Sequence, residues 1–137
     1  MDIVRHVING TETAEAARTG QIFDPATGQV SKQVAFASAA EVETALAAAA
    51  AALSAWRETS LIKRADVFFR LRQLLKERTP ELAAIVTSEH GKVLSDAAGE
   101  VSRGIENVEF AAGLVHLLKG ARSDEVSRGV DAHWVKQ

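Results

Sequence analysis

The chain has 137 residues, 47% of them apolar and 25% charged, with a formal net charge of −2 and no cysteine. That length makes about one domain, and the balance of apolar and charged residues argues against wholesale disorder. The near-neutral charge leaves no electrostatic footprint for nucleic acid or an anionic membrane, and the lack of cysteine excludes disulfides, thiolate metal sites and a cysteine nucleophile.

The first six residues, Met1 to His6, contain no apolar core of a secretory signal. The longest apolar run, Ala45 to Leu53, is too short and too alanine-rich to span a bilayer. The expected location is the cytoplasm. Residues 3–37 read as extended structure, in two short β elements. Val7-Ile8 leads into Asn9-Gly10, a pair suited to the positive φ angles of a tight hairpin turn. Ile22-Phe23 runs into Asp24-Pro25-Ala26-Thr27-Gly28, where proline pre-sets a turn and glycine supplies its left-handed exit. Val30, Val34 and Phe36 continue as a strand.

Four helices are expected over 38–120. Ser38 and Glu41 form a capping-box signature, and this helix runs through the alanines to about Leu53. The second begins near Ser60, with Ile62, Val67, Leu71, Leu74 and Leu75 on one face and Lys63, Arg64, Arg70 and Arg72 mostly elsewhere. The third takes Thr79 as N-cap and Pro80 as its first residue, and ends at Gly91. The fourth is capped by Ser95, turns Val101, Ile105, Val108, Ala112 and Val115 inward, and stops at Gly120. The tail is then polar until Val130, where Ala132, Trp134 and Gln137 begin to alternate with charged neighbours as a final strand over 130–137. The result is a mostly α chain with a pair of short N-terminal β elements, four helices and a C-terminal strand.

Most candidate motifs have structural explanations. The alanine run reflects helix propensity and close packing. His6, His90, His116 and His133 are scattered without metal-ligand spacing, and His90 before Gly91 suits a helix C-terminus. Glu89-His90-Gly91-Lys92 is not a phosphate loop, because a helix precedes it and Val93 follows the lysine. The exception is the helix containing Gly99, Gly104 and Gly113. Helical glycine costs up to about 1 kcal/mol against alanine, so three of them imply close backbone contacts or a ligand. Gly99, Arg103, Glu106, Phe110 and Gly113 share one face. On spacing, Arg103 either pairs with Glu100 or Glu106 on the helix surface or recognises a substrate carboxylate, which guanidinium suits well.

Several segments together resemble a known family. His6-Val-Ile-Asn-Gly10, Asp24-Pro-Ala-Thr-Gly28, the alanine-rich helix ending near Trp56, the arginine-containing second helix and Glu89-His-Gly-Lys92 resemble the N-terminal part of aldehyde dehydrogenases. Gly99-Glu-Val-Ser-Arg-Gly-Ile-Glu-Asn-Val-Glu-Phe-Ala-Ala-Gly113 is similar to the CoA-acylating methylmalonate-semialdehyde dehydrogenase branch in particular. Residues 120–129 match less sharply.

The resemblance implies an α/β fold of which residues 1–137 form the N-terminal portion of the coenzyme-binding domain, with 130–137 resembling the oligomerisation strand. It also implies oxidation of methylmalonate or malonate semialdehyde, with NAD and CoA as cosubstrates. In the family a cysteine thiolate adds to the aldehyde, hydride leaves to the nicotinamide, and CoA takes the acyl group with loss of CO2. Arg103 matches an arginine that binds the substrate carboxylate. The family's cysteine and NAD-holding residues lie beyond the matched region, so the chain alone is expected to bind neither cosubstrate and to be inactive. Its implied partners are the remaining part of the enzyme or a full-length relative, in a homo-oligomer, without nucleic acid or membrane. The alternative is a non-catalytic helical interaction module.

Overall fold

The computed structural model describes residues 2–13 and 16–136, so residues 14 and 15 of the expected extended stretch, and Gln137 of the expected last strand, lie outside the described residues. The chain divides into two compact units, Met1–Thr59 with Pro80–Ala98, and Ser60–Thr79 with Gly99–Gln137.

In the first unit, Asn9 and Gly10 both take positive φ, 51° and 77°. That is the geometry of a two-residue hairpin turn, and it joins β2 (Val7–Ile8) to β3 (Thr11–Glu12). β4 (Thr19–Phe23) and β5 (Val30–Ala35) form a second antiparallel hairpin, and β1 (Ile3–Val4) adds to β5 in parallel, giving the order β1-β5-β4. The β4–β5 connection is built on Asp24. Its Oδ1 accepts from the N–H of Ala26 at 2.7 Å and of Thr27 at 3.3 Å, and its carbonyl accepts from Gly28 at 2.7 Å. Gly28 leaves the turn at φ 71°.

α1 (Ala39–Glu58) starts with the expected box: Ser38 Oγ accepts from the Glu41 N–H, and the Glu41 carboxylate accepts from the Ser38 N–H. It continues past Leu53 to Glu58, because Ser54 to Glu58 offer no helix breaker. The stop comes at Thr59, whose extended backbone leaves the helix. None of its residues is buried. α3 (Thr79–His90) ends as expected at Gly91, whose φ is 84° and whose N–H donates to Thr87 at 2.8 Å. The Pro25 ring lies against Gly91, and Lys32 of β5 pairs with Glu89 at 3.0 Å, so the second hairpin is fixed to the last turn of α3. The buried apolar residues of this unit are Ala35, Ala83 and Ala97. α4 (Leu94–Ala112) begins here, one residue before Ser95. The Val93 carbonyl accepts from Asp96 and Ala97, which places Ser95 inside the helix and not at its cap.

In the second unit, α2 (Leu61–Glu77) is capped by Ser60, whose hydroxyl accepts from Lys63 at 3.4 Å. Its inner face differs from the expected one. Ala65 is buried, and Leu61, Arg64, Phe68, Arg72 and Leu75 are half-buried, while Ile62, Val67, Leu71 and Leu74 are exposed. The helix is apolar around most of its circumference, so hydrophobicity does not single out one face. Thr79 is no cap either, since its hydroxyl donates to Leu75 at 2.9 Å. Arg72 joins α2 to the second half of α4 by pairing with Glu109 at 2.9 Å.

α4 stops at Ala112, earlier than the expected Gly120. Gly113 then breaks the helix, and a short α5 (Leu114–Leu117) follows. Residues 121–129 hold a strand that composition did not reveal: β6 (Ala121–Ser127) pairs antiparallel with β7 (Val130–Trp134), turning at Gly129, φ 72°. Every residue of this hairpin is exposed, so it has no apolar alternation to betray it. Polar links hold it instead, with Arg122 on Asp131 at 2.8 Å and Asp131 accepting from the Glu125 N–H at 3.0 Å.

Candidate functional site

α4 separates two kinds of residue cleanly. Ile105 and Ala112 are buried and Val101 and Val108 half-buried, as their three- and four-residue spacing requires. The opposite side carries exposed Arg103, Glu106 and Phe110, the last at 70% exposure. The expected face of Gly99, Arg103, Glu106, Phe110 and Gly113 is therefore real, although Gly113 closes it as the residue where the helix breaks.

Of the two readings open for Arg103, the structure does not realise the local one. Among the described residues its guanidinium takes part in no ion pair, with neither Glu100 nor Glu106. Its backbone carbonyl accepts from the Asn107 amide at 2.9 Å, a bond along the helix that leaves the side chain available. Glu106 instead borders a recess of about 270 Å3 together with Arg72, Lys76, Ser102 and Glu109. The Arg72–Glu109 pair lies at this recess, and its mixed charges partly neutralise one another.

The glycines divide into two groups. Gly113 has a local reason, since a Cβ there would come 3.2 Å from the Phe110 carbonyl oxygen. A Cβ at Gly99 or Gly104 would meet none of the described residues within 4 Å, so among them the close backbone contact expected for these glycines is absent. His6, His90, His116 and His133 lie before β2, at the end of α3, in α5 and in β7. Among the described residues no group of three or more His, Cys, Asp or Glu could hold a metal, and no helix is long and apolar enough to cross a membrane.

Comparison with known proteins decides the family. The model of the aldehyde dehydrogenase family matches residues 12–137. The chain belongs to the aldehyde dehydrogenase family. It is 42% identical over 132 residues to a malonate-semialdehyde dehydrogenase of Pseudomonas aeruginosa, covering 96% of this chain and 27% of that one. Among solved structures, a methylmalonate-semialdehyde dehydrogenase of Oceanimonas doudoroffii superposes with a TM-score of 0.91 at 44% identity, covering 97% of this chain and 27% of that chain. A structure from Sinorhizobium meliloti 1021, assigned as a methylmalonate-semialdehyde dehydrogenase and complexed with NAD, gives 0.93 at 38% identity, covering 100% and 28%. The chain thus spans about a quarter of the length of these family members and corresponds to their N-terminal part. The mostly helical fold with short sheets matches the corresponding N-terminal part of these structures.

Proposed function

We propose that residues 1–137 are the N-terminal portion of the coenzyme domain of an NAD-dependent, CoA-acylating dehydrogenase for methylmalonate or malonate semialdehyde, and that Arg103 receives the substrate's carboxylate. The observation that carries this reading is the state of Arg103: an exposed guanidinium, bound by none of the described carboxylates, on the helix most similar to that branch. A guanidinium offers paired donors to a carboxylate, and the glycine one turn earlier leaves its approach open.

The chemical step needs residues that this chain does not have. With no cysteine, it cannot supply the thiolate that adds to the aldehyde and departs as a thioester. The described residues do not fit a dinucleotide either. The one parallel pairing among them, β1 with β5, is followed by α1, whose N-terminal amides are met by Ser38 and the Glu41 carboxylate. A pyrophosphate needs a glycine-rich turn and open amides at such a helix end, and it would meet a like charge here. NAD and CoA would be held by the remainder of the enzyme, and the chain alone is inactive.

The exposed apolar residues of α1 and α2 support a chain that works against further polypeptide. The test is complementation. Purified residues 1–137, freed of host dehydrogenases, are assayed with NAD, CoA and malonate semialdehyde, alone and after co-folding with the remaining part of the Pseudomonas aeruginosa relative. The expected result is NADH only in the mixture. Turnover by the chain alone overturns its assigned inactivity, and binding to the partner without turnover supports the non-catalytic interaction module instead.

A further inference from the structure

Gly99 and Gly104 weaken the middle of α4 relative to alanine, yet no contact among the described residues requires them. Neither has positive φ, and a Cβ at either would meet none of the described residues within 4 Å. Their positions differ in one respect. At about 100° per residue, Gly99 lies roughly 40° around the helix from Arg103 and one turn before it, whereas Gly104 is turned about 100° away.

We infer that Gly99 determines specificity: its missing side chain keeps clear the space beside the Arg103 guanidinium, where a substituent on the carbon bearing the substrate's carboxylate must fit. This inference rests on the proposed role of Arg103. Methylmalonate semialdehyde carries one methyl group on that carbon and malonate semialdehyde carries none. Glycine at 99 accommodates both, and a side chain at 99 competes with the methyl group for the same volume. The discrimination set by one methyl group in such a site is about 10- to 200-fold.

The test uses two readouts. In the 137-residue chain, Gly99→Ala and Gly104→Ala should each hold or raise the melting temperature, because helix propensity improves and no neighbour is displaced. A lower melting temperature for Gly99→Ala would show a packing role and overturn the inference. In an enzyme completed by joining residues 1–137 to the remainder of the Pseudomonas aeruginosa relative, Gly99→Ala should lower the ratio of kcat/KM for the methylated over the unmethylated substrate at least about tenfold. Gly104→Ala should leave that ratio unchanged. If Arg103→Ala proves selective for carboxylated aldehydes but Gly99→Ala leaves the ratio intact, the specificity role fails and the role of Arg103 stands. If Arg103→Ala depresses charged and uncharged aldehydes alike, the role of Arg103 fails and takes this inference with it.

Discussion

Ser38 and Glu41 hold each other at the start of α1. The Glu41 carboxylate accepts from the Ser38 N–H at 2.7 Å and from its hydroxyl at 2.8 Å, and Ser38 Oγ accepts from the Glu41 N–H at 3.2 Å. The backbone N–H of Ser38, then its hydroxyl, hold the Glu41 carboxyl below the usual glutamate value, and His6 adds a smaller push in the same direction. The sign follows from linkage. A carboxyl lowered in the folded state contributes stability that is complete above its unfolded value and is lost as pH falls through its folded value. Circular dichroism titrated from neutral to acid pH should show helix loss that begins as pH enters the ordinary glutamate range and continues below it. Glu41→Gln should remove that dependence, whereas Ser38→Ala, which keeps the backbone N–H and loses only the hydroxyl, should weaken it and lower helicity at neutral pH; an unchanged acid profile in Glu41→Gln would deny the coupling.

Gly91 should tolerate no side chain. Its φ of 84° is costly for an L-residue, and a Cβ would come 3.2 Å from Pro25 Cγ. Gly91→Ala is expected to destabilise by about 1–2 kcal/mol from the backbone alone, read as a lower urea midpoint. Glu89→Gln next to it breaks an exposed pair with Lys32 and should cost only a few tenths of a kcal/mol. Equal costs at the two positions would mean that the ion pair, and not the turn, secures the hairpin to α3.

Arg103→Ala in a complete enzyme should act on substrate choice. Loss of a charge-assisted contact to a carboxylate is worth about 2–4 kcal/mol in kcat/KM. An uncharged aldehyde of similar size should be turned over almost as before. Steady-state kinetics on the two aldehydes check this, and matching losses would make Arg103 a structural residue.

Val42, Leu46, Leu53 and Trp56, spaced by four, seven and three residues and so on one face of α1, are between 43% and 63% exposed on a helix that buries none of its side chains. The chain alone should therefore bind hydrophobic dyes and self-associate. Replacing Leu46 and Leu53 together by glutamine should lower both, and change folding stability by no more than about 0.5 kcal/mol per site. Light scattering and dye fluorescence read the first effect and denaturant unfolding the second. A monomer that ignores the dye would contradict the assigned surface.

What could be read from the residues follows from where the signals are local. Asn9-Gly10, Asp24 to Gly28, the Ser38–Glu41 box and Gly91 each carry their own geometry, and each appears where it was expected. The inner face of α2 was not legible, because a helix apolar on most sides leaves its neighbours to choose the face that is buried. β6 was hidden for the opposite reason: a solvent-exposed hairpin held by Arg122 and Asp131 needs no hydrophobic alternation. For Arg103 the spacing alone left two roles open. The structure shows no ion pair of its guanidinium among the described residues, and the carboxylate role rests on the proposal above.

The pairing of β1 with β5 bears on the order in which the chain assembles. It rests on two residue pairs, Ile3 with Gln33 and Val4 with Val34. Closing it spans roughly 30 residues, whereas the hairpins of the same unit close short loops at smaller entropic cost. The first strand should accordingly be the last to dock and the first to detach, and its amides should exchange with solvent well before those of the β4–β5 ladder. An affinity tag fused ahead of Ile3 would be attached to the least anchored strand of the sheet, so tagged preparations are prone to lose it while the hairpin behind it stays intact.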